Sequence, residues 1–174
     1  MPPVNEFGQL VEDDLGGSQP PPLPRWHMRY DASGRFQLPL SAAEAVGLFT
    51  PEGERDWAPG WDPEYATGSP SEAAGTVFMT GAHGSQTIWV ILEIDRSGGS
   101  ASYARVTPGH HGGLVRVQCV DAGPGHCSVE VFYEMSLLGD RDSANFDAYA
   151  PARFPEMMDQ WSGAILDYLA TVTD

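Results

Sequence analysis

Lysine is absent from this 174-residue chain: all nine basic side chains are arginine, set against 24 acidic ones, for a formal net charge of −15. Without an ε-amine there is no Schiff-base nucleophile and no phosphate-binding P-loop lysine. The shortage of positive charge also excludes a basic footprint for nucleic acid and a polybasic patch for an anionic membrane surface. Cysteine is nearly as scarce. Cys119 and Cys127 are the only two, too few for a disulfide scaffold and not at metal-ligand spacing. No run approaches the ~18 consecutive apolar residues of a membrane span. The opening MPPVNEFGQL lacks the basic-then-apolar order of a secretory leader. A cytoplasmic protein with reduced thiols is the expectation.

What is present suffices for a core, since 41% of residues are hydrophobic in a length that favours one domain. Residues 1–25 stand apart. Glu6, Glu12, Asp13 and Asp14 meet no basic residue before Arg25, and Pro20, Pro21, Pro22 and Pro24 oppose regular structure. A flexible acidic, proline-rich tail is expected there. The helical spacing of Val4, Phe7, Leu10 and Val11 also allows a small amphipathic element that docks on the domain or on a protein partner.

From Trp26 the pattern turns β-like. Trp26, Met28 and Tyr30 alternate with polar residues, and beyond Ser33-Gly34 a second run carries Phe36, Leu38 and Leu40 on one side. Ser41 and Glu44 form a capping box opening one short helix. Thr50 and Pro51 open a second, as N-cap and first helical residue, and Pro59-Gly60 stops it. After a small-residue loop over 66–75, five strands are predicted: Thr76–Thr80, Gln86–Ile94, Ser102–Thr107, Leu114–Val120 and Cys127–Leu137. Glycine-rich turns separate them, as in an antiparallel meander. Centring the last hairpin on Gly123 sets Val115 opposite Val131, Val117 opposite Val129 and Cys119 opposite Cys127, with Arg116 facing Glu130 outside. Finally Phe154, Met157, Met158, Trp161, Ile165, Leu169 and Val172 recur at steps of three and four. They predict a long amphipathic helix starting near Arg153 or Phe154. The order implies an α+β fold with that helix across the concave face of a curved sheet, any unfilled space between them being an apolar cavity.

Phe49-Thr-Pro-Glu-Gly-Glu-Arg55 and Trp57-Ala-Pro-Gly-Trp61-Asp-Pro63 resemble the SRPBCC superfamily of START-like, helix-grip proteins, and more narrowly its small bacterial members, most without an assigned function. Thr87-Ile-Trp89-Val90, Val106-Thr-Pro108-Gly109, Val129 to Tyr133-Glu134, and Trp161 with Ile165 and Tyr168-Leu169 support the resemblance, which spans about residues 34–170. It implies a START-like domain over 26–174 that holds a hydrophobic or amphipathic small molecule, lipid or polyketide-like. Some relatives are cyclases, dehydratases or hydrolases, and others bind proteins. Fold does not choose among these.

Candidate cavity residues are Trp57, Trp61, Phe78, Trp89, Tyr103, Arg105, Tyr133, Met135, Met157 and Trp161. Each also reads as ordinary core or loop packing. If Trp89 and Arg105 point inward, a cation orients a carboxylate or carbonyl; if outward, Arg105 pairs with Glu93. The outward arrangement is preferred, because Ile88, Val90, Leu92 and Ile94 make the more apolar face. His110 and His111, with His126 and His83, lie among glycines and read as solvated loops, not metal ligands. Glu52, Glu54, Asp56 and Asp62 cluster around Arg55, able to do acid–base work if burial separates their pKa values, and otherwise solvated. No nucleophile motif is evident, and no metal or redox cofactor is expected.

Overall fold

Alternation of apolar and polar residues drives most of the chain into strands, and the computed structural model describes residues 29–82, 85–138 and 151–172. Seven strands form one sheet: β1 (Arg29–Leu38), β2 (Glu64–Tyr65), β3 (Val77–Ala82), β4 (Ser85–Asp95), β5 (Ser100–Thr107), β6 (His111–Gly123) and β7 (His126–Leu137). The sheet is curved and antiparallel, in the order β1-β7-β6-β5-β4-β3-β2. The five strands predicted in succession are β3 to β7, each hydrogen-bonded to the next. Two-residue β2 was not anticipated; it is too short to show a period.

β1 is uninterrupted, pairing with β7 from Arg29 opposite Ser136 to Leu38 opposite Cys127. The break expected at Ser33-Gly34 does not occur. Gly34 sits mid-strand because a helix lies on it: a Cβ there would fall 2.4 Å from Met158 Cγ and 3.2 Å from Phe154 Cδ1. Trp26, Met28 and the acidic tail lie outside the described residues.

The capping box forms as predicted, with Ser41 N donating to Glu44 Oε2 at 3.0 Å and Ser41 accepting from Glu44 N. It opens α1 (Ala42–Ala45), which tightens into a 3-10 turn over Val46–Phe49. Thr50 Oγ1 donates to Gly47 O and accepts from Gly53 N, starting a second 3-10 turn over Gly53–Asp56, shorter than the helix expected from Pro51. Gly53 is required there, since a Cβ would lie 2.0 Å from Gly47 O.

The last hairpin pairs two residues away from the predicted register. Val115 faces Tyr133, Val117 faces Val131 and Cys119 faces Val129. The turn is at Pro124-Gly125, where Pro sets φ and Gly125 takes φ +67°, and an irregularity between Asp121 and Gly123 absorbs the offset. A two-residue slip preserves facing, so Cys127, Val129, Val131, Tyr133 and Met135 are buried as expected. The outside partners change: Arg116 bonds Glu134 at 2.5 Å, and Glu130 bonds Arg35 of β1 at 2.8 Å.

β4 corrects the preferred facing. Thr87, Trp89 and Ile91 are buried, while Ile88 and Leu92 are 38% and 44% exposed. The cause is a bulge between Ile91 and Glu93, which switches parity so that Ile94 packs on the core while Ile88 does not. The continuous apolar stripe read from the sequence is therefore split between two faces.

The closing helix, α2 (Phe154–Val172), starts where predicted and follows a 3-10 turn over Pro151–Arg153. Phe154, Met158 and Ile165 are buried, and Phe154 meets Tyr133 edge-on at 5.3 Å. Its contacts with the sheet fall mainly on β1, leaving space above the middle strands. Among the described residues no helix is long and apolar enough to cross a membrane. Because the two short turns meet through bare backbone at Gly53, Gly53→Ala is expected to destabilise the protein by about 1–3 kcal/mol through overpacking. Urea unfolding checks this; an unchanged midpoint would remove the close-approach argument.

Candidate functional site

The short turns after β1 deliver two tryptophans to the space beneath α2. Trp57 Nε1 donates to Leu48 O at 2.7 Å, and Trp61 Nε1 donates to Pro51 O at 2.8 Å. Both therefore fasten the loop and, with their ring faces, line the space. Trp57 meets Trp161 of α2 edge-on at 5.5 Å, and Trp61 meets Trp89 of β4 in the same way at 5.5 Å. Trp89 is held in turn by donating from Nε1 to Thr80 Oγ1 at 2.9 Å. Tyr103 donates to Phe49 O at 2.7 Å. Burial raises its phenol pKa, so it stays a neutral donor committed to that carbonyl.

These side chains enclose a cavity of about 760 Å³, within the usual size range of small-molecule sites. Of the ten candidates, Trp57, Trp61, Trp89, Tyr103, Arg105, Tyr133, Met157 and Trp161 line it. Phe78 and Met135 do not. Phe78 stacks behind Trp89 at 5.9 Å with parallel rings, and Met135 is wholly buried in the core.

Arg105 points inward, contrary to the preferred reading. It is buried, its guanidinium lies 4.7 Å over the Trp89 ring, and Glu93 pairs with Ser102 instead. Trp89 is on the concave side with Thr87 and Ile91, and the register opposes Arg105 to Trp89, so the two share that face. Glu134 is on the convex side with Arg116 and Arg29.

His111 is a second correction. It is buried at the start of β6 and lines the cavity, with Nε2 3.1 Å from Arg105 Nη2. A guanidinium only donates, so Nε2 accepts and the ring proton sits on Nδ1. Burial, then the Arg105 charge, lowers its pKa to about 4. In sequence His111 reads as loop because it follows Gly109 and His110, yet it opens a strand. His126 is exposed at the hairpin turn, His83 lies outside the described residues, and no group of three metal-binding side chains occurs among the described residues.

Sequence reasoning missed a row of hydroxyls. Register aligns Thr80 with Thr87 and Thr107 with His111, and Thr87 and Thr107 share a hydrogen bond of 2.8 Å. All four line the cavity across β3 to β6. Of the carboxylate cluster only Glu54 joins them. Glu52 and Asp62 are taken by Arg55, and Asp56 accepts from Tyr168 OH. Glu54 is half-buried on the wall of the cavity. Desolvation raises its pKa well above the usual range, against a smaller opposing pull from Arg105. The cysteines take no part; burial pushes the Cys119 thiol up to about 12.

No family model matches the chain, and no curated protein sequence does. Among solved structures, norcoclaurine synthase from Thalictrum flavum is similar with a TM-score of 0.58 and 12% identity, over 80% of this chain and 87% of that one. Ara h 8.0201 is similar with a TM-score of 0.59 and 14% identity, over 80% and 99%. CalU16 from Micromonospora echinospora gives 0.53 and 13%, over 80% and 83%. At such identities the likeness is one of fold: the chain has the START-like, helix-grip architecture.

His111 carries a testable consequence. Its native pKa of about 4 lies below the unfolded value near 6.5, so the unfolded chain binds more protons between these limits. Stability should fall as pH drops from about 6.5 through 4, and His111→Gln should flatten that part of the profile. Imidazole NMR should report the Nδ1–H tautomer with a midpoint near 4; a midpoint near 6.5 would contradict the buried placement.

Proposed function

We propose that the protein binds a hydrophobic or amphipathic small molecule, lipid or polyketide-like, in the cavity beneath α2. The observation that carries this reading is the cavity itself, walled by Trp57, Trp61, Trp89 and Trp161 and too large to be a packing defect. Aromatic faces give apolar area at little entropic cost, and the polar row at the middle strands supplies orientation.

The test is native mass spectrometry of gently purified protein, supported by Ala164→Trp. Ala164 lines the cavity from α2, so a large ring there takes up part of the space from the helix side. A discrete added mass on the native chain, lost on denaturation and absent from the variant, is expected. A clean apo mass, together with apolar probes that bind both proteins equally or not at all, would sink the reading.

Catalysis of the cyclase or dehydratase kind in the same cavity is favoured by one specific observation: Glu54 and Arg105 both line it. A protonated carboxyl can donate to a carbonyl oxygen or a departing hydroxyl while a guanidinium stabilises developing negative charge. Glu54→Gln separates the two readings. Carriage predicts the same bound mass on variant and wild type; catalysis predicts a different one, substrate held where product was found.

A further inference from the structure

We propose that the apolar stretch over residues 4–11 docks on the convex face of its own sheet, over Ile88, Val106 and Leu138. This face is the reverse of the one that bears the cavity, so the proposal does not depend on the cavity being occupied. Ile88, Val106 and Leu138 are 38%, 41% and 37% exposed. They adjoin one another. Ile88 pairs with Val106, and a Cβ on Gly112 would lie 3.3 Å from Val106 Cγ2 and 3.2 Å from Leu138 Cδ1. Half-buried Met79 extends the patch by pairing with Ile88 from β3. No charged side chain stands among these four, and contiguous apolar surface of this kind marks a docking site.

Strand register says what covers it. Arg29 pairs with Ser136, Ser136 with Gly112, Gly112 with Val106 and Val106 with Ile88, so all five lie in one row across the sheet. The residues before Arg29 therefore meet the sheet at the end of the row that holds the patch, about 14 Å from Val106 at three strand spacings. Residues 12–28 span up to about 50 Å at polyproline pitch, ample for that distance. Val4, Phe7, Leu10 and Val11 fall on one face of a helix about 10 Å long, the width from β3 to β5. Charge permits the path. Glu12, Asp13 and Asp14 would cross β7 and β6, where the Arg29 and Arg116 side chains are 61% and 50% exposed. These arginines and Arg35 are matched there by Asp31, Glu130 and Glu134. The strip is thus neutral in a chain of net charge −15. A second copy would bring that same net charge to the patch, whereas a tethered segment is present at an effective concentration on the order of millimolar.

The experiment places a nitroxide on Gln9→Cys of the full chain and reads methyl NMR signals. Cys119 and Cys127 are buried, so the label attaches at residue 9. The Ile88, Val106 and Leu138 methyl signals are expected to lose most of their intensity, while Leu166 and Val172 of α2 keep theirs. Adding Phe7→Asp and Leu10→Asp, both outside the folded domain, should restore the lost signals. Signals unchanged by the label, loss spread evenly over all methyl groups, or loss that persists with the two aspartates overturns the proposal. So does loss on unlabelled, isotope-enriched chains mixed with labelled ones, which would make the occupant a second copy.

Discussion

A straight helix cannot follow a curved sheet along its whole width, and the rest of the molecule depends on where α2 makes contact. It lies close on β1, where Met158 and Phe154 cover Gly34, and stands away from β3 to β6. Close packing on one side supplies the core; separation on the other supplies the cavity. The two short turns after β1 are what the gap requires, since Trp57 and Trp61 reach across it to Trp161 and Trp89. Remove the offset and the aromatic wall has nothing to span.

Within that frame the polar groups are arranged by strand parity. Trp89 faces in on the regular half of β4, ahead of the bulge, and pairing carries Arg105 with it. Burial of a guanidinium is tolerated through stacking on Trp89, acceptance by His111 and access to the cavity. Burial pushes both His111 and Glu54 toward their neutral forms inside a strongly acidic chain. The exterior accordingly says little about the site.

Much of the fold was legible in the residues. The meander strands, the Ser41 capping box and the onset of α2 follow from local patterns with short-range causes: alternation, a side-chain cap, proline in the first turn. The failures share a different cause. Ser33-Gly34 looked like a turn because a glycine kept for close approach is indistinguishable in sequence from one kept for its dihedrals. The hairpin register slipped because an extra residue near Asp121 leaves no periodic trace. β4 was turned inside out because apolar residues also populate a convex surface, where Ile88 and Val106 are partly exposed. Eight of the ten proposed lining residues meet at the cavity; His111 reads as loop from its glycine neighbours, Glu54 is one of four carboxylates that sequence does not tell apart, and the threonines carry no motif. Once Trp89 is placed inward, the alternation of Thr87 with Trp89 and of Arg105 with Thr107 would have found that row.

Gly34 gives the architecture a fulcrum. The helix rests there through Met158, and Ala164 lies about 9 Å further along the axis at 1.5 Å per residue. Bulk gained at that seat has to push Met158 and Phe154, and with them the helix, away from β1. The clearance available to a guest is thus set partly by an atom the chain omits in its first strand, at a residue outside the cavity lining.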